Sequence, residues 1–346
     1  MAGKVKGKVK VAIIGSGGIT GGHARGILEH SDRVECVALC DISEQNLKAR
    51  NDQLGGVDAQ YKDWKKMLKE MDDRLDAVVI GLPHHLHAAA ILDSVAAGKH
   101  VLCEKPMCIS LEEGDRIVEA VEKAGVTYMS AHNQLFMASV QEAKRLLAAG
   151  EIGRVRWIRS QDCFVAGGPE GNAFKGSWRA ELKTQGGGEL IDTGYHPTYR
   201  LLYLADSEII GVRGSMGRYQ QKIEGDDTAS VQVRFANGVI GEIFTSWAME
   251  LPYGTHHIHV IGEKGQIFGS GNDLYIWRRG EKEPEKRTLP GGDTFVAQMG
   301  YFVACLLDGK KPIHGAREGR AVLEVILGAA RDAEGWQKHA HVKAEA

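Results

Sequence analysis

Val9-Lys10-Val11-Ala12-Ile13-Ile14-Gly15-Ser16-Gly17-Gly18-Ile19-Thr20 is the stretch that decides the fold. A run of strand character enters a glycine-rich turn, and a helix from Gly18 to about Glu29 follows at once. Strand, glycine loop and helix in that order make a dinucleotide fingerprint. Gly15 permits the tight turn, and Gly17 lets the backbone approach a pyrophosphate. Ile19 and Thr20 open a helix whose amino terminus faces the phosphate charge. Thr20 stands where the fingerprint usually has Gly or Ala, which loosens the packing of helix on strand. Gly21 and Gly22 are the expected compensation. Taken alone, the segment also suits the turn of a sugar-phosphate or flavin fold.

Outward from the loop, Val34–Cys40 reads as a second strand ending at Asp41, with Ser43 as the N-cap of the next helix. A carboxylate at Asp41 accepts hydrogen bonds from ribose hydroxyls and repels a 2′-phosphate. Asp41-Ile42-Ser43-Glu44 holds no Arg or Lys, so NAD is expected ahead of NADP. Further strands at Ala77–Ile80, Val101–Cys103 and Val126–Ser130 alternate with helices at Trp64–Met71, His87–Ala97 and Leu111–Lys123. That rhythm argues for a parallel sheet with right-handed crossovers.

Beyond residue 150 the pattern changes. Arg154–Ser160 is strand-like and Gly187–Ala205 helical. Ile209 to about Leu289 reads as an antiparallel sheet of five or six strands, with turns at Asn237-Gly238, Lys264-Gly265 and Gly271-Asn272. Helices at Asp293–Leu307 and Arg317 to about Ala333 close the chain. The expected fold class is α/β: an N-terminal doubly wound parallel sheet over 1–133, and a C-terminal α/β domain over 134–346 with a large open, mostly antiparallel sheet.

With 346 residues, 43% hydrophobic and 25% charged, the chain has an ordinary globular composition. A net charge of −2 gives no reason to expect nucleic acid or an acidic membrane as partner. No apolar run approaches the ~20 residues that span a bilayer. Val11–Ile14 is too short for a signal-peptide core, so a cytoplasmic location is expected. The six cysteines form no C-x-x-C pair and read as buried, reduced thiols rather than a zinc site.

Lys105, in Glu104-Lys105-Pro106, follows the apolar run His100–Cys103. A lysine at the carboxyl end of a buried parallel strand points into the ligand crevice of such sheets. Oxidising a secondary alcohol requires removal of the hydroxyl proton. His196 suits that task, since its unperturbed pKa is ~6.5. A nearby ammonium keeps the imidazole neutral and stabilises oxyanion character. Asp192 and His196, four apart, share one face if the segment is helical. Gly194 between them costs ~1 kcal/mol in a helix interior, and a ligand close to the backbone would account for it. Alternatives stay open: a surface lysine, and a capping aspartate with a core histidine.

His84-His85-x-His87 and the pair His257/His259 mimic metal ligands, but no metal is expected. Trp157, Trp178, Trp247 and Tyr253 supply either a sugar-stacking surface or core. The loop from Asp162 to Lys175 is placed to shape a pocket.

Together Gly15-Ser16-Gly17-Gly18-Ile19, Gly81-Leu82-Pro83 with His87, Glu104-Lys105-Pro106, Trp178-Arg179 and Gly186-Gly187-Gly188-Glu189-Leu190-Ile191-Asp192-Thr193-Gly194-Tyr195-His196 resemble the Gfo/Idh/MocA family of oxidoreductases over nearly the whole chain. The resemblance implies a Rossmann domain, a second domain whose sheet packs in homo-oligomers (dimer or tetramer), and a catalytic pair of Lys105 and His196. It further implies that Asp192, with Trp178 and Arg179, contacts a sugar or cyclitol. Gly15, Gly17, Gly18, Ile19, Asp41, Leu82, Pro83, His87, Glu104, Lys105 and Asn133 would face the cofactor. The expected activity is NAD-dependent hydride transfer at a secondary hydroxyl. The alternatives are glycoside cleavage through transient sugar oxidation, and a non-enzymatic sugar or NAD sensor.

Overall fold

The structure, a computed structural model, describes Val5, residues 7–168 and residues 170–339. Pro169, inside the expected pocket-shaping loop, lies outside the described residues. The chain divides into two compact units, one of residues up to Phe136 with Gly292–Ala321, the other of Met137–Gly291 with the residues from Val322 onward.

In the first unit β1 (Val9–Ile14), α1 (Thr20–Glu29), β2 (Val34–Cys40), α2 (Glu44–Leu54), β3 (Ala59–Tyr61), α3 (Trp64–Glu70), β4 (Ala77–Ile80), α4 (His84–Ala96), β5 (His100–Cys103), α5 (Leu111–Ala124) and β6 (Tyr128–Ser130) follow in turn. The six strands lie in the order β3-β2-β1-β4-β5-β6, all parallel. The sheet is the expected doubly wound one, with its switch point between β1 and β4. β4 and β5 are buried at every position, so they read as continuous apolar runs. β3 was not among the expected strands. It is three half-exposed residues at the edge, too short and too polar to carry a pattern. Caps agree with sequence: Ser43 accepts from the Asn46 amide at 3.3 Å, and Gly55 closes α2 with φ +80°.

The second unit contains α6 (Ala138–Ala148), β7 (Val155–Cys163), α7 (Leu182–Gln185), α8 (Tyr195–Ala205), β8 (Ile209–Gly217), β9 (Thr228–Phe235), β10 (Ile240–Ser246), β11 (Ile258–Gly262), β12 (Gly265–Ser270), β13 (Asp273–Arg278) and β14 (Glu285–Thr288). Eight strands, rather than five or six, form one sheet in the order β14-β13-β12-β11-β7-β10-β9-β8. Every neighbour is antiparallel except β7 with β10. Seven of them, β8 to β14, fall within Ile209–Leu289, and β7, the strand expected at Arg154–Ser160, inserts between β10 and β11. All three expected hairpin turns occur, with Gly238 at φ +85° and Gly271 at φ +57°.

The expected helix over Gly187–Ala205 is a correction. Only α8 is helical, and residues 186–194 form successive turns. Asp192 and Gly194 both donate their amides to the Glu189 carbonyl, at 3.1 and 2.9 Å. Asp192 therefore does not share a helix face with His196.

Two helices follow the sheet, α9 (Thr294–Leu307) and α10 (Ala316–His339). α9 packs on α1, because Gly22 and Gly26 leave room for it. A Cβ on Gly22 would lie 2.7 Å from the Phe295 ring, and one on Gly26 2.6 Å from Met299 Cβ. This packing puts Gly292–Ala321 in the first unit, although the continuous boundary at 133/134 had assigned it to the second. Met299, Phe302, Val303 and Leu306 complete a core with Val9, Val11, Ile13 and Ile27. Among the described residues no helix is long and apolar enough to cross a membrane. All six cysteines are free thiols.

Candidate active site

Gly15 to Ile19, Asp41, Leu82, Pro83, Glu104, Lys105 and Asn133 all follow the carboxyl ends of β1, β2, β4, β5 and β6. The first unit thus gathers these expected cofactor residues along one edge of its sheet, while His87 lies on α4. Gly15 adopts φ +88°, and a Cβ there would run into the backbone of Gly81. Gly81 in turn leaves space for Thr20, whose methyl would lie 2.5 Å from a Cβ at position 81. Room for the unusual Thr20 therefore comes from Gly81 on the neighbouring strand end, not from Gly21 or Gly22. The Thr20 hydroxyl donates to the Gly17 carbonyl at 2.9 Å, bracing the loop from inside.

The residues present fit an NAD pyrophosphate. No atom lies within 4 Å of a Cβ built on Gly17 or Gly18, so that face of the loop is open. α1 has no side-chain cap at its amino terminus and no acid in its first turn, which leaves its positive end for a ligand. Asp41 accepts from the amides of Ser16 and Ser43, each at 2.7 Å, so it ties the loop to the start of α2. Its oxygens retain acceptor capacity for ribose hydroxyls.

Some residues were missed. Arg50, buried in α2, donates to the Gly17 carbonyl at 2.8 Å and bonds Gln53. Gln53 donates to the Gly21 carbonyl at 3.0 Å. Nothing in the sequence around Arg50 distinguishes it from a surface helix arginine. His23, fully buried on α1, lies 2.8 Å from Glu104. Glu104 also accepts from the Lys105 amide at 3.3 Å. His87 is likewise buried. Its ring nitrogens stand 2.6 Å from the Pro106 carbonyl and 2.8 Å from the Leu82 carbonyl, linking the segments after β4 and β5. Burial pushes its pKa below the usual histidine value, against those two bonds. The Lys105–Pro106 peptide is cis. Asn133 donates to Thr294 Oγ1 at 3.0 Å.

In the second unit His196 is half-exposed near the start of α8, and its Nδ1 lies 2.7 Å from the Tyr199 hydroxyl. Tyr199, one turn along, was missed, although its i+3 spacing is the signal for such a pair. The bond fixes the ring's orientation. Asp192 is buried and accepts from Arg179 Nε at 2.7 Å; the Arg179 guanidinium lies 4.2 Å from the Trp178 ring. Trp178, Arg179 and Asp192 therefore form one group.

Gly194 is forced by packing. A Cβ there would lie 2.7 Å from the Leu190 backbone and 2.9 Å from Thr245 Cγ2. Protein atoms, rather than an approaching ligand, account for the glycine. Trp247 is buried, donates to Thr193 Oγ1 at 2.8 Å and packs on Phe174 at 4.2 Å, so it is core and not a sugar platform. Trp157 packs on His259 and Arg159, and Tyr253 is fully exposed. His259 bonds Gln266 at 2.8 Å, and His257 faces Asp162 at 3.8 Å.

Residues 9–132 match a family profile described as "Oxidoreductase family, NAD-binding Rossmann fold", and residues 140–268 match the "GFO/IDH/MocA C-terminal domain". The scyllo-inositol 2-dehydrogenase (NAD(+)) of Bacillus subtilis is 28% identical over 93% of this chain and 93% of its own length. A dehydrogenase of 1-carboxy-3-chloro-3,4-dihydroxycyclo hexa-1,5-diene from Comamonas testosteroni is 29% identical over 75% of this chain, which spans 59% of that relative. Among solved structures, the aldose-aldose oxidoreductase of Caulobacter crescentus complexed with glycerol superposes with a TM-score of 0.83 at 25% identity, over 95% of this chain and 98% of that one.

Proposed function

The chain belongs to the Gfo/Idh/MocA family of NAD-binding oxidoreductases, and from that premise we propose that it oxidises or forms a secondary hydroxyl on a sugar, sugar derivative or cyclitol. Bound NAD supplies the hydride acceptor or donor. His196 takes the hydroxyl proton as the C–H bond breaks, and returns it in the reverse direction. Lys105, in the first unit, is assigned by the family resemblance to polarise a substrate oxygen. Asp192, set in place by Arg179, accepts from a neighbouring substrate hydroxyl. The observation that carries the reading is the 2.7 Å bond between His196 and Tyr199. In the tautomer that donates from Nδ1 to the tyrosine oxygen, Nε2 is the basic nitrogen. Relatives named for a ring polyol and a dihydroxylated ring support the substrate class.

Purified protein is incubated with NAD and a panel of hexoses, uronates, inositols and glycosides, following NADH and product mass. NADH is expected to accumulate in step with a keto product. Replacing Lys105 by Met or His196 by Asn is expected to lower kcat about 100-fold, with NAD still bound. Unchanged turnover in both variants sinks the assignment. Glycoside cleavage without net NADH replaces it with the redox-assisted elimination.

We also assign self-association to the open face of the eight-stranded sheet. Arg159, His259, Phe268 and Tyr275 form a row across β7, β11, β12 and β13. The Phe268 and Tyr275 rings stack at 5.2 Å, which supplies apolar area for a second copy. A monomer by light scattering at micromolar concentration refutes this assignment.

A further inference from the structure

Glu189 is fully buried in the second unit, in the turns that lead to Asp192 and His196. Its main chain organises them. The Glu189 carbonyl accepts the Asp192 and Gly194 amides, while its own amide donates to the Asp226 carbonyl at 2.8 Å. Its side chain reaches β10, where the Thr245 hydroxyl donates to Oε1. Among the described residues, Oε2 has no hydrogen-bond partner. Thr245 also meets the turn a second time, since its methyl is among the groups that exclude a Cβ at Gly194. One threonine therefore receives both ends of the turn.

We propose that Glu189 is a positioning residue for the Asp192–His196 segment, seating it on β10 through an uncharged carboxyl group bonded to Thr245. The surroundings demand the uncharged form. Burial is the largest influence and drives the Glu189 pKa well above the ordinary glutamate range; the Thr245 bond opposes it, and Asp226, Asp162 and Asp192 add to it. Among the described residues, the charged groups that act most strongly on Glu189 are all acids. β7 contributes Asp162 and the Cys163 thiol, the latter itself pushed up to about 12, chiefly by burial. The turn contributes Asp192, already paired with Arg179, and the segment before β9 contributes Asp226. Arg200 on α8 is spent on Asp162 at 3.1 Å. An ionised Glu189 would place unpaired charge in the interior and repel Asp192, which shifts the turn that presents His196.

The kinetic part of the test rests on the dehydrogenase reading; the melting and binding parts do not. Full-length wild type, Glu189→Gln, Glu189→Ala and Thr245→Val are compared by thermal melting, NAD titration, and kcat and KM against pH. A carboxyl raised in the folded state stabilises fully below its unfolded value of ~4.3, and that contribution is lost as pH rises through the folded value. Gln copies the uncharged carboxyl and has no such loss. Glu189→Gln is therefore expected to melt above wild type at about pH 9 but not at about pH 4, and to extend the alkaline limb of kcat. It should keep turnover within about threefold, whereas Glu189→Ala and Thr245→Val lower kcat at least about tenfold with NAD affinity within about twofold. Superimposed melting-versus-pH curves for wild type and Glu189→Gln overturn the proposal, as does a Gln variant as impaired as Ala. If no panel compound is turned over by wild type, the dehydrogenase reading fails while the melting curves still decide the state of Glu189.

Discussion

At the residue scale, the nucleotide loop depends on the pairing of Thr20 with Gly81. A threonine at the third fingerprint position is accommodated because the facing strand end has no side chain, and its hydroxyl then braces Gly17. The two positions are sixty-one residues apart, so neither explains the other along the chain (81 − 20). Gly81→Ala forces its Cβ against the Thr20 methyl and is expected to cost ~1–3 kcal/mol. Thr20→Ser keeps the hydroxyl and removes the methyl, so the double variant should recover about 1 kcal/mol of that loss. Thermal melts and NAD titrations of the four proteins test the coupling; strictly additive effects would refute it. Asp41 was legible because its partner is a fixed distance away in a known motif. Arg50 was not, since its bond to Gly17 exists only once α2 lies against the loop.

At the scale of elements, strands and helices of the first unit follow the hydrophobic pattern closely, and the turns before α8 depart from it. Gly186, Gly187, Gly188 and Gly194 weaken helix propensity in this stretch, and tertiary partners claim its backbone as well. The Glu189 amide goes to Asp226, and its carbonyl is shared by Asp192 and Gly194. Local propensity is a weak prior against such bonds. The same competition explains Gly194, which makes room for Leu190 and Thr245. Gly194→Ala is expected to destabilise by ~2 kcal/mol and to lower kcat, with NAD affinity unchanged because the loop lies in the other unit. A variant with wild-type melting and turnover would contradict this account. His87 shows the converse case: a histidine at a strand end, expected to meet a cofactor, has its ring nitrogens on the Leu82 and Pro106 carbonyls.

For the whole molecule, desolvated acids of the second unit shape how stability varies with pH. Burial raises the Asp226 pKa to about 6, despite its bond from the Leu190 amide. The unfolded value is ~3.9, so this carboxyl's contribution is complete below about pH 4 and lost as pH rises through 6, a change of roughly 2–3 kcal/mol. Asp226→Asn should gain stability relative to wild type between about pH 4 and pH 8; a pH-independent difference would refute the assignment. The sequence alone determined the parallel sheet, the nucleotide loop and the NAD-binding family, because short-range pattern carries each of them: period, glycine placement and an acid at a set distance. It also supplied Lys105, Asp192 and His196 as candidates. Tertiary structure alone decided their partners: Tyr199 for His196, Arg179 for Asp192, Thr245 for Glu189, Gly81 for Thr20, and α9 for α1. Burial, space and hydrogen-bond satisfaction are properties of what lies across from a residue, and folding, not sequence neighbourhood, chooses that.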